Sequence, residues 1–245
     1  MLKRSNDAKV TNLIRVSNTA KGVKYVSNLA NSFGLPSGLA YSCPGATSVC
    51  QSVCYAGKLE RLRPAVRNVL MHNWEQLRDA NYDTMFKLLS IMIRGFDAEC
   101  DEKGAEKLFR IHWDGDFFND DYTQAWGDVV RDNPQIRFWV YTRTEKSAIM
   151  LDSMRLDNLA LYFSTDSDNK STGESLAMNH GIKLAYLADT FDNGKSDMNA
   201  MELKSVRCPE NNKAIKIIDE GGSACIKCGA CVFGRNNVLF SATKK

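Results

Sequence analysis

Leu108-Phe-Arg-Ile-His-Trp113, Arg137-Phe-Trp-Val-Tyr-Thr142, Leu159-Ala-Leu-Tyr-Phe-Ser164 and Ile182-Lys-Leu-Ala-Tyr-Leu187 are four short runs rich in aromatic and branched apolar residues. Each reads as a β-strand. Helical patterns separate them, over 120–131, 144–154 and, more briefly, 173–179. Strands and helices in alternation imply right-handed crossovers and a mainly parallel sheet. The expected fold is therefore α/β, a partial or complete parallel β/α barrel, with an open α/β sheet as the second choice.

Working outward, residues 64–103 carry a helical period. Pro64 suits a first turn, and Val66, Val69, Leu70, Asn73, Trp74 and Leu77 recur at helical spacing. A second helix is expected from Asp83 to Cys100, on the stripe Met85, Leu88, Leu89, Met92, Ile93 and Phe96. Trp74 and Trp126 read as core. Further upstream, residues 12–17 and 23–27 alternate weakly, and Leu35-Pro-Ser-Gly38 is a turn signal. Downstream, 189–207 is polar and turn-rich and is expected to lead out of the barrel. The chain thus divides into a barrel-like domain over 1–190, including an N-terminal cysteine loop, and a cysteine-rich cluster-binding segment over 191–245. That last segment is expected to form a small metal-binding cap, being too short to bury much core by itself.

The chain has 245 residues, 44% of them hydrophobic and 25% charged, as in ordinary globular proteins. Its formal net charge of +3 is too small to argue for nucleic acid or a membrane surface. The basic ends, Lys3-Arg4 and Lys244-Lys245, read as solvated termini. Polar Ser5-Asn-Asp7 stands where a leader would need an apolar region, and no run approaches the ~20 apolar residues that span a bilayer. A cytosolic setting is expected, and with it reduced thiols.

The eight cysteines then become informative, because seven fall into two groups and only Cys100 stands alone. Cys225-Ile-Lys-Cys228-Gly-Ala-Cys231 has the C-x2-C-x2-C spacing of ferredoxin-like cluster loops. Gly229 lets the backbone turn closely there. Cys208, followed by Pro209, is the candidate fourth ligand. A cuboidal [4Fe-4S] cluster is favoured over zinc, whose structural sites commonly use two separated C-x2-C pairs. The second group is Cys43-Pro-Gly-Ala-Thr-Ser-Val-Cys50-Gln-Ser-Val-Cys54. Three thiolates would leave one iron of a four-iron cluster open for reaction. The same three could equally be ligands of a closed structural site. One cluster or two is left open by the residue count.

His112, Asp114 and Asp116 lie at or just past the end of the first strand quoted, where barrel enzymes build their active sites. Two carboxylates around Gly115 suit acid–base work. They equally suit loop ordering, with Asp116 or Asn119 capping the following helix. Tyr141-Thr-Arg143 and Ser164-Thr-Asp166 hold equivalent places after the next two strands, and Arg143 is suited to a carboxylate or phosphate.

Taken together, Cys-Pro-Gly-Ala…Cys…Cys-Tyr-Ala-Gly, His-Trp-Asp-Gly-Asp-Phe-Phe, Phe-Trp-Val-Tyr-Thr-Arg and Cys-Pro…Cys-x-x-Cys-Gly-Ala-Cys, in that order, resemble the phage "gene product eighty-eight" family. The resemblance spans about 12–242. It implies a bacteriophage origin, a role in the cytoplasm of an infected host, and both cysteine sets as cluster ligands. It also implies a distant likeness to radical S-adenosylmethionine barrels, although C-x6-C-x3-C departs from their C-x3-C-x2-C spacing. Three functions follow as alternatives. The first is an enzyme of redox or radical chemistry on an unidentified small molecule, with a redox partner in the host. The second is an electron-transfer or structural iron–sulfur protein. The third is a zinc-stabilised interaction protein.

Overall fold

The computed structural model describes residues 1–243. The basic Lys244-Lys245 end lies outside the described residues. Ile14–Thr19 (β1) and Gly22–Ser27 (β2) pair as an antiparallel hairpin separate from the main sheet. The weak alternations near 12–17 and 23–27 are thus strands, but they add nothing to a barrel. The main sheet opens instead with Ser32–Gly34 (β3), three buried residues too short to show a period.

Four helices follow: Ser48–Val53 (α1), Tyr55–Leu62 (α2), Pro64–Leu77 (α3) and Tyr82–Lys103 (α4). Pro64 occupies the first turn of α3, where its missing N–H is no loss. Asn81 caps α4 by accepting from Thr84 N at 3.1 Å, and Gly104 ends it in the left-handed conformation. The expected stripe of Met85, Leu89, Met92, Ile93 and Phe96 is the buried face of α4.

The alternating half then runs Leu108–Asp114 (β4), Asp120–Arg131 (α5), Arg137–Thr142 (β5), Glu145–Ser153 (α6), Leu159–Thr165 (β6), Lys170–His180 (α7) and Lys183–Ala188 (β7). Residues 189–207 do not lead out of the sheet. They form Phe191–Ala200 (α8), capped by Thr190, and Ser205–Arg207 (β8), which rejoins the sheet. The final elements are Ile218–Asp219 (β9), Gly222–Ser223 (β10), Ala224–Cys228 (α9) and Asn237–Ser241 (β11).

Seven strands make one parallel sheet in the order β3-β4-β5-β6-β7-β11-β8. Sequential order from β3 to β7 is barrel-like winding. β8 then skips a position, and β11 returns to fill the gap. The barrel is not closed: β3 and β8 are free edges, and the sheet is open. The antiparallel bridge between Ser5 and Ser32 covers part of the β3 edge.

Side chains divide between the two faces with period two. Phe138, Val140, Leu161, Phe163, Leu184, Tyr186 and Leu239 face the helices. Trp139, Tyr141, Ala160, Tyr162, Ala185, Val238 and Phe240 point the other way, onto Val10, Ala230, Val232 and the C-terminal cysteines. A parallel sheet needs both faces covered. Here the chain's two ends cover the second face, which explains how the sheet remains open. The segment expected as an external cap is therefore built into the sheet, with strands on both sides of the 190/191 division sharing one ladder.

Candidate functional site

Two cysteine groups occupy different places on this frame. All eight cysteines are free thiols, and Cys100 is buried in the helix-side core.

Cys208, Cys225, Cys228 and Cys231 line a single cavity on the face opposite the helices, with Val206, Ile215, Ala224, Ala230 and Val238 as carbon walls. Local structure brings them there. Cys208 follows β8, its N–H donating to Leu239 O at 2.9 Å. Cys225 and Cys228 lie on α9, and Cys225 N donates to Lys9 O at 2.9 Å, so the N-terminal segment closes one side. Gly229 ends α9 at φ +67°, and a Cβ there would meet Phe233 at 3.1 Å. The turn that delivers Cys231 thus requires glycine. The Tyr141 side chain lies beside the Cys231 sulfur. Burial, chiefly, pushes Cys231 up to about 12 and raises Cys208 and Cys225. Without a metal these sulfurs are neutral thiols in an apolar cavity.

Arg110 stands beside this group. It donates to Asp7 Oδ2 at 3.0 Å and to His112 O at 2.9 Å, and its guanidinium lies 5.5 Å from the Tyr141 ring centroid. No sequence motif marked Arg110 or Tyr141 as neighbours of the cysteines. They meet because Arg110 and Tyr141 project from β4 and β5 on the same side of the sheet.

The other group lies across the carboxyl ends of β3, β4, β5 and β6. Residues 35–47 leave β3 and cross these ends closely. A Cβ on Gly45 would stand 2.5 Å from Arg143 O, and one on Gly115, at φ +80°, would stand 2.4 Å from Ser42 Oγ. Thr47 caps α1 and donates to Asp166 Oδ2 at 2.7 Å. Arg143 Nη1 donates to the same oxygen at 2.5 Å, and Asp166 is fully buried. Cys50 and Cys54 are close enough to repel one another as thiolates, and Arg143 adjoins Cys50. Cys43 lies towards the aspartates: burial, then Asp116, pushes its thiol up to about 12.

Asp116 is a clasp. It accepts from Thr142 Oγ1 at 2.6 Å and Phe117 N at 2.7 Å through Oδ1, and from Arg143 N at 2.7 Å through Oδ2. Burial still raises it to about 6. Asn119, not Asp116, caps α5, accepting from Tyr122 N at 2.8 Å. Asp114 is different. Its Oδ1 accepts from Gly115 N at 2.9 Å, while Oδ2 is buried without a partner among the described residues. Burial, then the Glu60 carboxylate, pushes Asp114 up to about 8. Glu60 is itself buried and accepts from Ser37 N at 2.9 Å and Ser37 Oγ at 2.5 Å. Sequence reasoning missed Glu60. The clue available was its helical spacing with Ala56 and Gly57, which puts a lone carboxylate on the buried side of a basic helix.

His112 does not join the carboxylates. Two residues of β3 span four of β4 between the pairs Ser32–Arg110 and Gly34–Asp114, an irregularity that turns the side chains after Ile111. His112 lies among Phe33, Phe117, Tyr122 and Trp126, with Nε2 2.9 Å from the Tyr122 hydroxyl. Burial, then Arg110, lowers it to about 3. It sits in the aromatic core, apart from the two carboxylates that follow it in sequence. Asp114 and Asp116 remain at the strand ends with Cys43, Thr142, Arg143 and Asp166.

No group of three or more His, Cys, Asp and Glu side chains among the described residues converges to hold a single metal ion. No described helix is long and apolar enough to cross a membrane.

An open parallel α/β sheet with one thiol group across its carboxyl edge and another inside its covered face defines a two-centre cysteine α/β protein. The chain belongs to the Gene product 88 family, whose model matches residues 1–234. It is 56% identical over 244 residues to the Gene 88 protein of Mycobacterium phage L5. It is 51% identical over 245 residues to the Gene 88 protein of Mycobacterium phage D29. Each match covers 100% of this chain and 99% of the relative. No solved structure matches it. The family expected from the motifs is thus the family found, and it is a bacteriophage family.

Proposed function

We propose that this phage protein holds an iron–sulfur cluster on Cys208, Cys225, Cys228 and Cys231, and that its reactive centre is the strand-end group around Cys43, Cys50 and Cys54. One observation carries the reading: four cysteines from two separate segments line one carbon-walled cavity. A single zinc binds sulfur at about 2.3 Å and so draws its four ligands towards one point. The thiols here line one cavity. That arrangement suits a cuboidal cluster, which stands between its ligands and exchanges single electrons. The three-thiol segment follows β3, the first strand of the sheet. It faces carboxylates and a buried Arg143–Asp166 pair, which supports reactivity at that end. S-adenosylmethionine is the small molecule to test there.

The experiment is anaerobic purification and reconstitution with iron and sulfide. A brown protein with four irons and four sulfides at the C-terminal site, retained in Cys50→Ser and lost in Cys228→Ser, is the expected result. A colourless chain holding zinc alone overturns the reading. An electron paramagnetic resonance spectrum that S-adenosylmethionine changes in the wild type but not in Cys50→Ser assigns the open site. A spectrum it leaves unchanged removes S-adenosylmethionine from the proposal.

A further inference from the structure

The net charge of +3 conceals a strong asymmetry. Residues 1–74 contain ten Lys and Arg against two acidic residues, a surplus of eight, so the remainder carries a deficit of five. Between residues 8 and 74 the sole carboxylate is Glu60, and it is buried. Within this region α2 concentrates the charge on one side. Helical spacing puts Tyr55, Lys58, Arg61 and Leu62 on one arc, opposite Ala56, Gly57 and Glu60, which are buried. Arg63 and Arg67 continue the exposed surface onto α3. Lys58, Arg61 and Arg63 make no ion pair among the described residues, and Arg67 reaches Glu60 only at 3.8 Å.

Aromatic rings are set among these cations. Tyr55 is 54% exposed, yet its hydroxyl donates to Trp113 O at 2.9 Å, which pins the ring against the end of β4 and leaves much of it in solvent. Tyr41 accepts from Arg67 Nη2 at 3.4 Å and packs edge-on against Trp74. A ring already held in place loses little freedom when a planar partner stacks on it. Cations along a helix, with a held and exposed ring at its start and a half-buried ring beside Arg67, match a backbone of phosphates carrying flat bases. An acidic peptide would use the cations but not the rings.

We propose that this face, Lys58, Arg61, Arg63 and Arg67 with Tyr55 and Tyr41, binds single-stranded nucleic acid and leads it to the strand-end site that begins at Cys54. The assignment does not depend on a bound cluster.

Fluorescence anisotropy with a labelled single-stranded 12-mer, as DNA and as RNA, tests it on the full chain. The wild type binds, and its affinity falls roughly 20- to 50-fold between 50 and 200 mM salt, as about three to four neutralised phosphates require. Lys58→Glu with Arg61→Glu and Arg63→Glu, all exposed positions, removes binding by at least about 20-fold while circular dichroism and melting stay unchanged. Lys21→Glu with Lys24→Glu, on the β1–β2 hairpin, leaves affinity within about threefold. Tyr55→Ala weakens binding roughly tenfold, and Tyr55→Phe, which keeps the ring, does not. No binding at 50 mM salt, or equal binding by the triple variant, overturns the proposal. Polyglutamate that displaces the oligonucleotide at equal charge assigns the face to an acidic protein instead. Tighter binding of a duplex of the same length overturns the single-strand assignment.

Discussion

The two cysteine groups stand in opposite surroundings. The C-terminal thiols sit in a cavity walled mostly by aliphatic carbon, with Tyr141 beside Cys231. The N-terminal thiols lie among Asp114, Asp116, Asp166 and Arg143, on a loop fitted tightly to the strand ends and the short helix α1 that follows it. Burial raises thiol pKa values in both. What differs is the neighbours. An apolar wall excludes water and offers the four thiols few polar neighbours. A polar edge offers groups that can orient a second molecule. The difference teaches that cysteine spacing alone does not fix a thiol's surroundings. The fold does.

The sharpest way to break that contrast is to remove one sulfur from each group. Cys228→Ser is expected to abolish iron and sulfide at the C-terminal site and to destabilise the reconstituted protein by roughly 3 kcal/mol or more. Cys50→Ser is expected to leave that iron in place. Iron and sulfide analysis beside thermal melting measures both, and loss of all iron from Cys50→Ser would show one shared site.

The next largest effect concerns the fit of the N-terminal loop. Gly115→Ala places a Cβ at φ +80° and 2.8 Å from the Leu35 carbonyl as well as against Ser42. A loss of roughly 2–4 kcal/mol is expected in urea unfolding, with the C-terminal iron unchanged. A neutral result would mean that the loop is not held against the strand end.

Asp114 gives a smaller, pH-dependent effect. Its folded value of about 8 lies above the ordinary 3.8, so the folded state binds the extra proton between those limits. Stability from this group is complete below pH 4 and is lost as pH rises through 8. Asp114→Asn, which mimics the protonated form, should therefore stabilise the protein by roughly 1–3 kcal/mol at pH 8 and hardly at all at pH 4. Equal melting shifts at both values would place Asp114 in contact with water. The smallest effect is Tyr141→Phe, which removes the hydroxyl beside Cys231. A potentiometric titration of the reconstituted cluster should shift roughly 20–60 mV negative, because a hydroxyl dipole near a cluster sulfur favours the more negative, reduced state.

Much of this was legible in the residues, and the failures have physical causes. Strands 137–142 and 159–165 were plain because both faces of a covered parallel sheet are apolar or aromatic. β3 was not, because three residues carry no period. α8 was missed because Asp192-Asn-Gly-Lys195 reads as a turn when its Thr190 cap and its contact with β11 are unknown. His112 was grouped with the carboxylates by its place at the strand end, whereas the β3–β4 register shift accompanies its position in the aromatic core. Glu60 was overlooked because its partner, Asp114, is 54 positions away.

By itself the sequence determined the α/β class, the family, the two cysteine groups and the fourth C-terminal thiol, because these depend on local pattern and spacing. Tertiary structure alone decided that the sheet stays open, since that depends on the two chain ends covering the face that barrel closure would have buried. It also decided which charges gather on one surface, since a net value averages over positions that folding keeps apart.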